Sequence, residues 1–242
     1  MSIETILFDL DNTLARCMVY FSFARKNINR ILATATGFSI QEIEDLFTEY
    51  ETMRVKRKDG FSKDAFLDSV NGVRVRLYEK LKEIDSERAT EFYESDISFK
   101  LINFTSEVYE APYTIYEEVT EVLNILKMKG YSLYVVTKGD FYGQSKKAAN
   151  LPEVFDGLFV LPRKNKYTWN GVLETTQVDR STTLVVGDSV HDDINPALEV
   201  GLKAVRINRE NTEWVGDPKT DPLSEVPEIK DLRQLLEILV TL

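Results

Sequence analysis

The sequence predicts an α/β protein whose parallel sheet is interrupted, just after its first strand, by an inserted all-helical segment. Three observations carry this expectation. Near-continuous apolar Ile6-Leu7-Phe8 suits a strand covered on both faces, and it stops abruptly at Asp9 and Asp11. From residue 112 onward, short apolar runs alternate with amphipathic helical stretches, the rhythm of a parallel sheet with crossover helices. The residues between show helical periodicity and no convincing strand. The expected division is therefore 1–14 with 112–242 as the sheet core, and 15–111 as the helical insertion with its hinges.

Within the insertion, Phe21, Ala24, Ile28, Ile31 and Leu32 recur at helical intervals, and Thr36-Gly37 ends that run. Ser39 followed by Glu42 reads as a capping box opening a second helix through Leu46 and Phe47. Lys56-Arg57-Lys58-Asp59-Gly60 is a polar turn, after which Ser62 caps a helix carrying Phe66, Val70, Val73, Leu77 and Leu81. A further helix is expected from Ser86 through Phe92, Tyr93 and Phe99. Tyr109–Tyr113, containing Pro112, is the expected return hinge.

The core resumes with a helix over Tyr116–Lys129, whose Val119, Val122, Leu123 and Leu126 share a face and whose stop is Gly130. Ser132–Thr137 is an apolar strand ending in a hydroxyl, Phe141–Ala149 a helix, and Leu158–Leu161 the next strand. Tyr167–Thr176 is expected to be helical. Thr183–Gly187 is a strand running straight into Asp188, and Asp192–Val200 a helix ended by Gly201. Ala204–Ile207 is a last short strand. Asn208–Pro227, polar and holding three prolines, reads as a loop before a closing helix over Leu232–Leu239.

Composition narrows the function classes. At 242 residues, 43% hydrophobic and 29% charged, the chain can bury a core that needs no staples. The single cysteine, Cys17, excludes an internal disulfide framework and fits a reducing compartment. It reads as a packing residue rather than a nucleophile, because the only histidine, His191, is its sole candidate imidazole partner. A net charge of −10 opposes nonspecific binding to nucleic acid, which rests on neutralising phosphates with Lys and Arg. A phosphorylated substrate stays open, because a bound divalent cation inverts the local electrostatics. No apolar run approaches membrane-spanning length and no signal-like start is present, so a cytoplasmic protein without a membrane partner is expected.

The chemistry collects at strand ends. Asp9 and Asp11 follow the first strand, Thr137 ends the second, Lys164 comes shortly after the third, and Asp188 follows the fourth. In a parallel sheet these ends share one edge, where open α/β sheets bind their ligands. Residues i and i+2 of a strand share a face, so Asp9 and Asp11 converge if the backbone stays extended. Two like charges that close demand a cation, a shared proton, or both. The plainer reading of each is a solvated Asp-Asn turn, a turn-capping threonine, a surface lysine and a loop aspartate. All of them coinciding on one edge makes that plainer reading the weaker one.

Asp9-Leu10-Asp11-Asn12-Thr13, Thr137-Lys138-Gly139-Asp140, Lys164 and Gly187-Asp188-Ser189-Val190-His191-Asp192-Asp193 resemble, in order and spacing, the four motifs of the haloacid dehalogenase superfamily. The resemblance covers the segments 1–14 and 112–242 and implies a Rossmann-like core; the helical block lies where that superfamily inserts a cap. It implies that Asp9 is a nucleophile that forms an aspartyl-phosphate. Asp11 is then the general acid that protonates the leaving group and afterwards the base that activates water. Mg²⁺ would be held by the Asp9 side chain, the Asp11 backbone oxygen and Asp188. Thr137, its neighbour Lys138, and Lys164 would bind the phosphoryl group. Asp193 would bond to the metal's ligands rather than to the metal, and Thr13 would order the loop after the first strand.

Some assignments stay open at this level. Lys166 competes with Lys164 as the motif lysine, and Asp192 competes with Asp193 as the second acid. His191 is read as a loop residue near solvent. In the resembling dehalogenases and phosphonate-cleaving enzymes the position of Asp11 is not an acid, so its presence favours hydrolysis of a small phosphate monoester. A phosphomutase or phosphotransferase and a non-catalytic metal- or phosphate-binding module are the alternatives. Tyr20, Phe21, Phe23, Arg16 and Arg25 are candidates to line the roof of the site, against a plainer reading as helical core and solvated charge. The oligomeric state is not legible.

Overall fold

The computed structural model describes residues 2–56, 63–110, 113–209, 222 and 225–241. The expected turn at 56–60 beyond Lys56, the Ser62 cap, Pro112 and most of the 208–227 loop lie outside them. The chain divides into two compact units. One comprises residues 2–18 and 113–209 with the described C-terminal residues; the other comprises residues 19–110.

In the first unit, β1 (Thr5–Phe8) leads through the helical unit to α6 (Val119–Met128). There follow β2 (Ser132–Lys138), α7 (Phe141–Ala148), β3 (Gly157–Leu161), α8 (Lys166–Thr176), β4 (Thr183–Gly187), α9 (Asn195–Glu199), β5 (Lys203–Ile207), β6 (Glu228–Ile229) and α10 (Arg233–Ile238). All strands pair in parallel, in the order β3-β2-β1-β4-β5-β6. β1 is thus central: the chain winds outward through β2 and β3, then returns to place β4 on the other side of β1. This is the reversal of strand order at which open sheets form a crevice.

Alternation along the strands decides the two faces. Ile6, Phe8, Leu133, Val135, Leu184 and Val186 pack with Val119, Val122, Leu123 and Leu126 of α6 and Leu235 of α10. Leu7, Val136 and Val185 point the other way, onto Trp169, Val172 and Leu173 of α8 and Ala197 of α9. Successive strand side chains face opposite sides, so a run apolar at every position is what two covered faces require. The two-residue β6 is the strand that periodicity misses; it pairs with Arg206 and Ile207, too short for any alternation to show.

The helical unit contains α1 (Met18–Thr36), α2 (Ile40–Lys56), α3 (Lys63–Ile84), α4 (Ser86–Glu94) and α5 (Ile97–Glu110). The capping box forms: Glu42 N donates to Ser39 Oγ at 3.2 Å and Ser39 N to Glu42 Oε2 at 3.0 Å. The single helix expected over Ser86–Phe99 is two, because Ser95 takes an extended backbone and its hydroxyl closes onto the Phe92 carbonyl at 2.7 Å. The expected hinge also begins later, since α5 continues to Glu110. Among the described residues, no helix is long and apolar enough to cross a membrane.

Arg25, one of the roof candidates, has its partners inside the helical unit. Its guanidinium turns into the helical unit, 2.5 Å from Glu51 Oε2 and 2.9 Å from Glu44 Oε1, with the Phe47 ring 5.3 Å away. Breaking a buried pair leaves an uncompensated charge. Arg25→Met is therefore expected to cost the helical unit about 3 kcal/mol, read as a lowered urea midpoint by circular dichroism; an unchanged midpoint would remove Arg25 from the unit's framework.

Candidate active site

The register brings the sequence-predicted groups to one edge. Phe8 stands opposite Val135 of β2 and Val186 of β4, so Asp9, Thr137 and Asp188 leave three adjacent strands within a residue of one another. Asp9 N still donates to the Val186 carbonyl at 2.9 Å, which holds the first residue past β1 in the sheet. Beyond it the strand ends. Asn12 adopts a left-handed backbone, φ 59°, a conformation that asparagine tolerates, and its side-chain oxygen accepts from Met18 N at 3.1 Å.

Asp9, Asp188 and Asp193 each offer a carboxylate oxygen, and these lie within 4.8 Å of one another. Lys164 reaches into this cluster: its Nζ is 2.5 Å from Asp9 Oδ1 and 2.5 Å from Asp193 Oδ1. Lys164, not Lys166, therefore faces the nucleophile position; Lys166 opens α8 with its ammonium 5.1 Å from the Tyr167 ring. Asp193, not Asp192, joins the acids. A π-helical turn over Val190–Ile194 replaces the start of the helix expected from Asp192, and it lets both Asp193 N and Ile194 N donate to the Ser189 carbonyl, at 2.9 and 3.1 Å. That wide turn points Asp193 inward, where its Oδ2 accepts from Ser189 N at 3.1 Å. His191 stays exposed, as expected.

Two of the candidate residues have partners that the sequence did not show. Lys138 does not stand free for a phosphoryl group: its ammonium is bonded to Asp192. β1 ends at Phe8, and the Asp11 side chain meets partners on α7 rather than Lys164. Its carboxylate accepts from Lys147 at 2.8 and 3.1 Å and from Gln144 Nε2 at 2.8 Å.

Lys147 and Gln144, both buried on α7, are functional-site residues that sequence reading missed. Their only local signal is an i, i+3 spacing. Arg209 was missed as well. Its Nε and Nη2 donate to the Thr13 carbonyl at 3.1 and 2.8 Å, its guanidinium lies 2.7 Å from Glu118, and it covers the Tyr116 ring at 3.5 Å. Thr13 is buried, its hydroxyl has no hydrogen-bond partner, and it meets Arg209 through its backbone carbonyl alone. Arg16, exposed, lies 5.0 Å from the same Tyr116 ring.

The electrostatics follow from three carboxylates meeting one ammonium. Burial, only partly offset by Lys164, pushes Asp9 up to about 7, with Asp193 and Asp11 adding to the rise. Burial and the neighbouring Asp9 and Asp193 charges raise Asp188 far above the carboxylate range, and burial raises Asp193. Lys164 is raised too: burial opposes its charge, but Asp193 and Asp9 outweigh it. Every member of the cluster holds its proton more tightly than the free side chain does, as expected where negative charge is in excess. Asp11 is the exception. Burial would raise it, but Lys147 and then Gln144 lower it.

Two buried oxygens mark what the site is built to take. Asp9 Oδ2 and Thr137 Oγ1 have no hydrogen-bond partner. Hard oxygen donors in excess of positive charge fit a divalent cation such as Mg²⁺, and an unpartnered hydroxyl beside them fits an anionic oxygen.

In metal-free protein the contribution of Asp9 to stability is expected to fall as the pH rises from about 4 toward 7. Asp9's value, about 7 against an ordinary 3.8, means the folded state keeps a proton that the unfolded chain releases across that window. Asp9→Asn removes this penalty, so in chelator its thermal midpoint should exceed the wild type's at neutral pH, with the gap closing toward pH ~4. Each kcal/mol relieved is worth about 2–4 °C; a gap independent of pH would contradict the charge imbalance. Gly187 gives a steric check. A Cβ there would lie 2.4 Å from Asp193 Cγ, so Gly187→Ala should displace that carboxylate and cost about 1–3 kcal/mol on thermal unfolding.

The chain matches the haloacid dehalogenase-like hydrolase family over residues 3–201. A comparison with curated proteins finds no match. Among solved structures, a haloacid dehalogenase-like hydrolase from Xanthomonas campestris superposes with a TM-score of 0.67 at 19% identity, covering 98% of this chain and 92% of that one. The HAD-hydrolase YfnB from Bacillus subtilis, solved bound to magnesium, gives 0.63 at 23% identity and covers 99% of each chain. A HAD phosphatase from Thermococcus onnurineus gives 0.60 at 22%, covering 98% of each, and L-2-haloacid dehalogenases share the fold too. At these identities the structures show likeness of fold. With strand order, strand-end acids and family match in agreement, the chain belongs to the haloacid dehalogenase-like hydrolases.

Proposed function

We propose that this hydrolase cleaves small phosphate monoesters with Mg²⁺ through an aspartyl-phosphate on Asp9, in the cytoplasm. The observation that carries the reading is Asp11: a second carboxylate, two residues past the nucleophile position and held by Lys147 and Gln144. Phosphate esters expel an alkoxide that needs a proton, whereas a halide leaves without one. The net charge of −10 argues for a small substrate rather than a nucleic acid.

In the first step an Asp9 oxygen attacks phosphorus, the bond from phosphorus to the ester oxygen breaks, and Asp11, protonated from solvent beforehand although Lys147 and Gln144 favour its charged form, gives that oxygen its proton. In the second, water attacks the same phosphorus, Asp11 takes the water's proton, and the bond to Asp9 breaks to release phosphate. Lys164, already against Asp9, offsets charge on the phosphoryl oxygens, and the free Thr137 hydroxyl donates to one of them. Asp9, the Asp11 backbone oxygen and Asp188 would hold Mg²⁺, which would supply the positive charge that the site lacks. Asp193 would steady Lys164 and the Ser189 backbone behind them.

Wild type is expected to release phosphate from aryl and metabolite phosphates only with Mg²⁺, and Asp9→Asn to lose at least about 10³-fold in kcat. Halide release from 2-haloacids in place of phosphate release would make the protein a dehalogenase. Isomer formation without net phosphate release would make it a mutase. Turnover that survives Asp9→Asn would remove Asp9 as the nucleophile.

A further inference from the structure

The carboxylate of Asp11 is held by two donors from one face of α7. Lys147 Nζ bonds both of its oxygens, at 2.8 and 3.1 Å, and Gln144 Nε2 bonds Oδ2 at 2.8 Å. Burying a lysine and a glutamine on a helix is costly unless their donors are paired, and here the Lys147 ammonium and the Gln144 amide nitrogen both are. The next lysine, Lys146, is exposed, so the inward turn belongs to Lys147 in particular.

Each donor is itself braced. Gln144 Nε2 also donates to the Lys138 carbonyl at 2.6 Å, and Gly139 leaves it room, since a Cβ there would come within 2.9 Å of that nitrogen. Gly139 lies at φ 149°, open to glycine and strained for other residues. Asp140 caps α7 by accepting from Gly143 N at 2.7 Å, which sets where the helix starts and so where positions 144 and 147 fall. On its other side, Lys147 lies 4.5 Å from the Tyr113 ring and 3.9 Å from Cys17 Sγ.

We infer that Lys147 and Gln144 are positioning residues for Asp11: they set the direction of the carboxylate that serves the leaving group and the attacking water. The inference rests on the phosphatase reading for the role of Asp11, but not for its orientation. A clamp of this kind leaves phosphoryl binding to Asp9, Lys164 and Thr137 untouched. Its loss therefore falls on proton transfer, and unequally on substrates.

The test compares 4-nitrophenyl phosphate, whose phenolate departs without a proton, with a simple alkyl phosphate, whose alkoxide needs one. Lys147→Met is expected to lower kcat on the alkyl ester about 100-fold and on the nitrophenyl ester less than about 10-fold, with KM little changed. Lys147→Arg should recover much of the alkyl-ester loss, Gln144→Leu should show the same selectivity more weakly, and Lys146→Met should match wild type. Equal losses on both esters, or no recovery in Lys147→Arg, would overturn the inference and leave the pair a tie between α7 and the catalytic loop. A crystal structure of Lys147→Met reads the orientation without turnover. An Asp11 carboxylate still in place refutes the clamp; one swung away supports it. If the wild type hydrolyses neither ester with Mg²⁺, the phosphatase reading fails, and that structure still decides the orientation.

Discussion

The site depends on one unfavourable arrangement, the packing of Asp9, Asp188 and Asp193 around Lys164 at the end of a buried sheet. Three carboxylates and one ammonium away from water are costly unless each charge is paired and bonded. The fold makes them bearable by local means. Lys164 bridges two of the acids, the π-helical turn after β4 turns Asp193 inward, and Gly187 gives up a side chain so that Asp193 fits against the strand. What remains is an excess of negative charge with Asp9 Oδ2 and Thr137 Oγ1 still unsatisfied. Such an excess is one that a cation could offset.

The same economy separates two acids only two residues apart. Asp9 is inside the carboxylate cluster, and its proton affinity rises; Asp11 faces Lys147 and Gln144, and its affinity falls. Opposite environments thus make two chemically identical groups unequal in proton affinity. The separation comes from the backbone. β1 ends at Phe8, Asn12 turns through a left-handed conformation, and Asp11 meets Lys147 while Asp9 meets Lys164. Arg209 holds the far end of this turn through the Thr13 carbonyl, and its own charge is met by Glu118.

A fold shared by phosphatases and dehalogenases does not by itself name a reaction. The discriminating feature is small, a carboxylate in place of another side chain at one position, and its partners lie on a helix far along the chain. Function in this family is therefore argued from the groups around Asp11 rather than from the sheet beneath it.

The order of strands and helices in the core was legible because burial on two faces forces apolar runs, and because amphipathic helices repeat every three to four residues. β4 begins and ends where expected, at Thr183 and Gly187. The acids, the threonine and a lysine could be placed on one edge because parallel strands all end there. Pairing was not legible. Nothing local distinguishes Lys164 from Lys166, or tells Lys138 to meet Asp192 and Lys147 to meet Asp11, 136 residues away. Nor does periodicity show the break at Ser95, where a hydroxyl bonds the backbone, or the π-helical turn at Asp193. The sequence by itself determined the layers, the order of elements and the chemical types gathered at the sheet's edge, since these follow from local periodicity and connectivity. Only the tertiary structure decided which charge meets which, because ion pairing depends on distances between segments that the chain brings together only when folded.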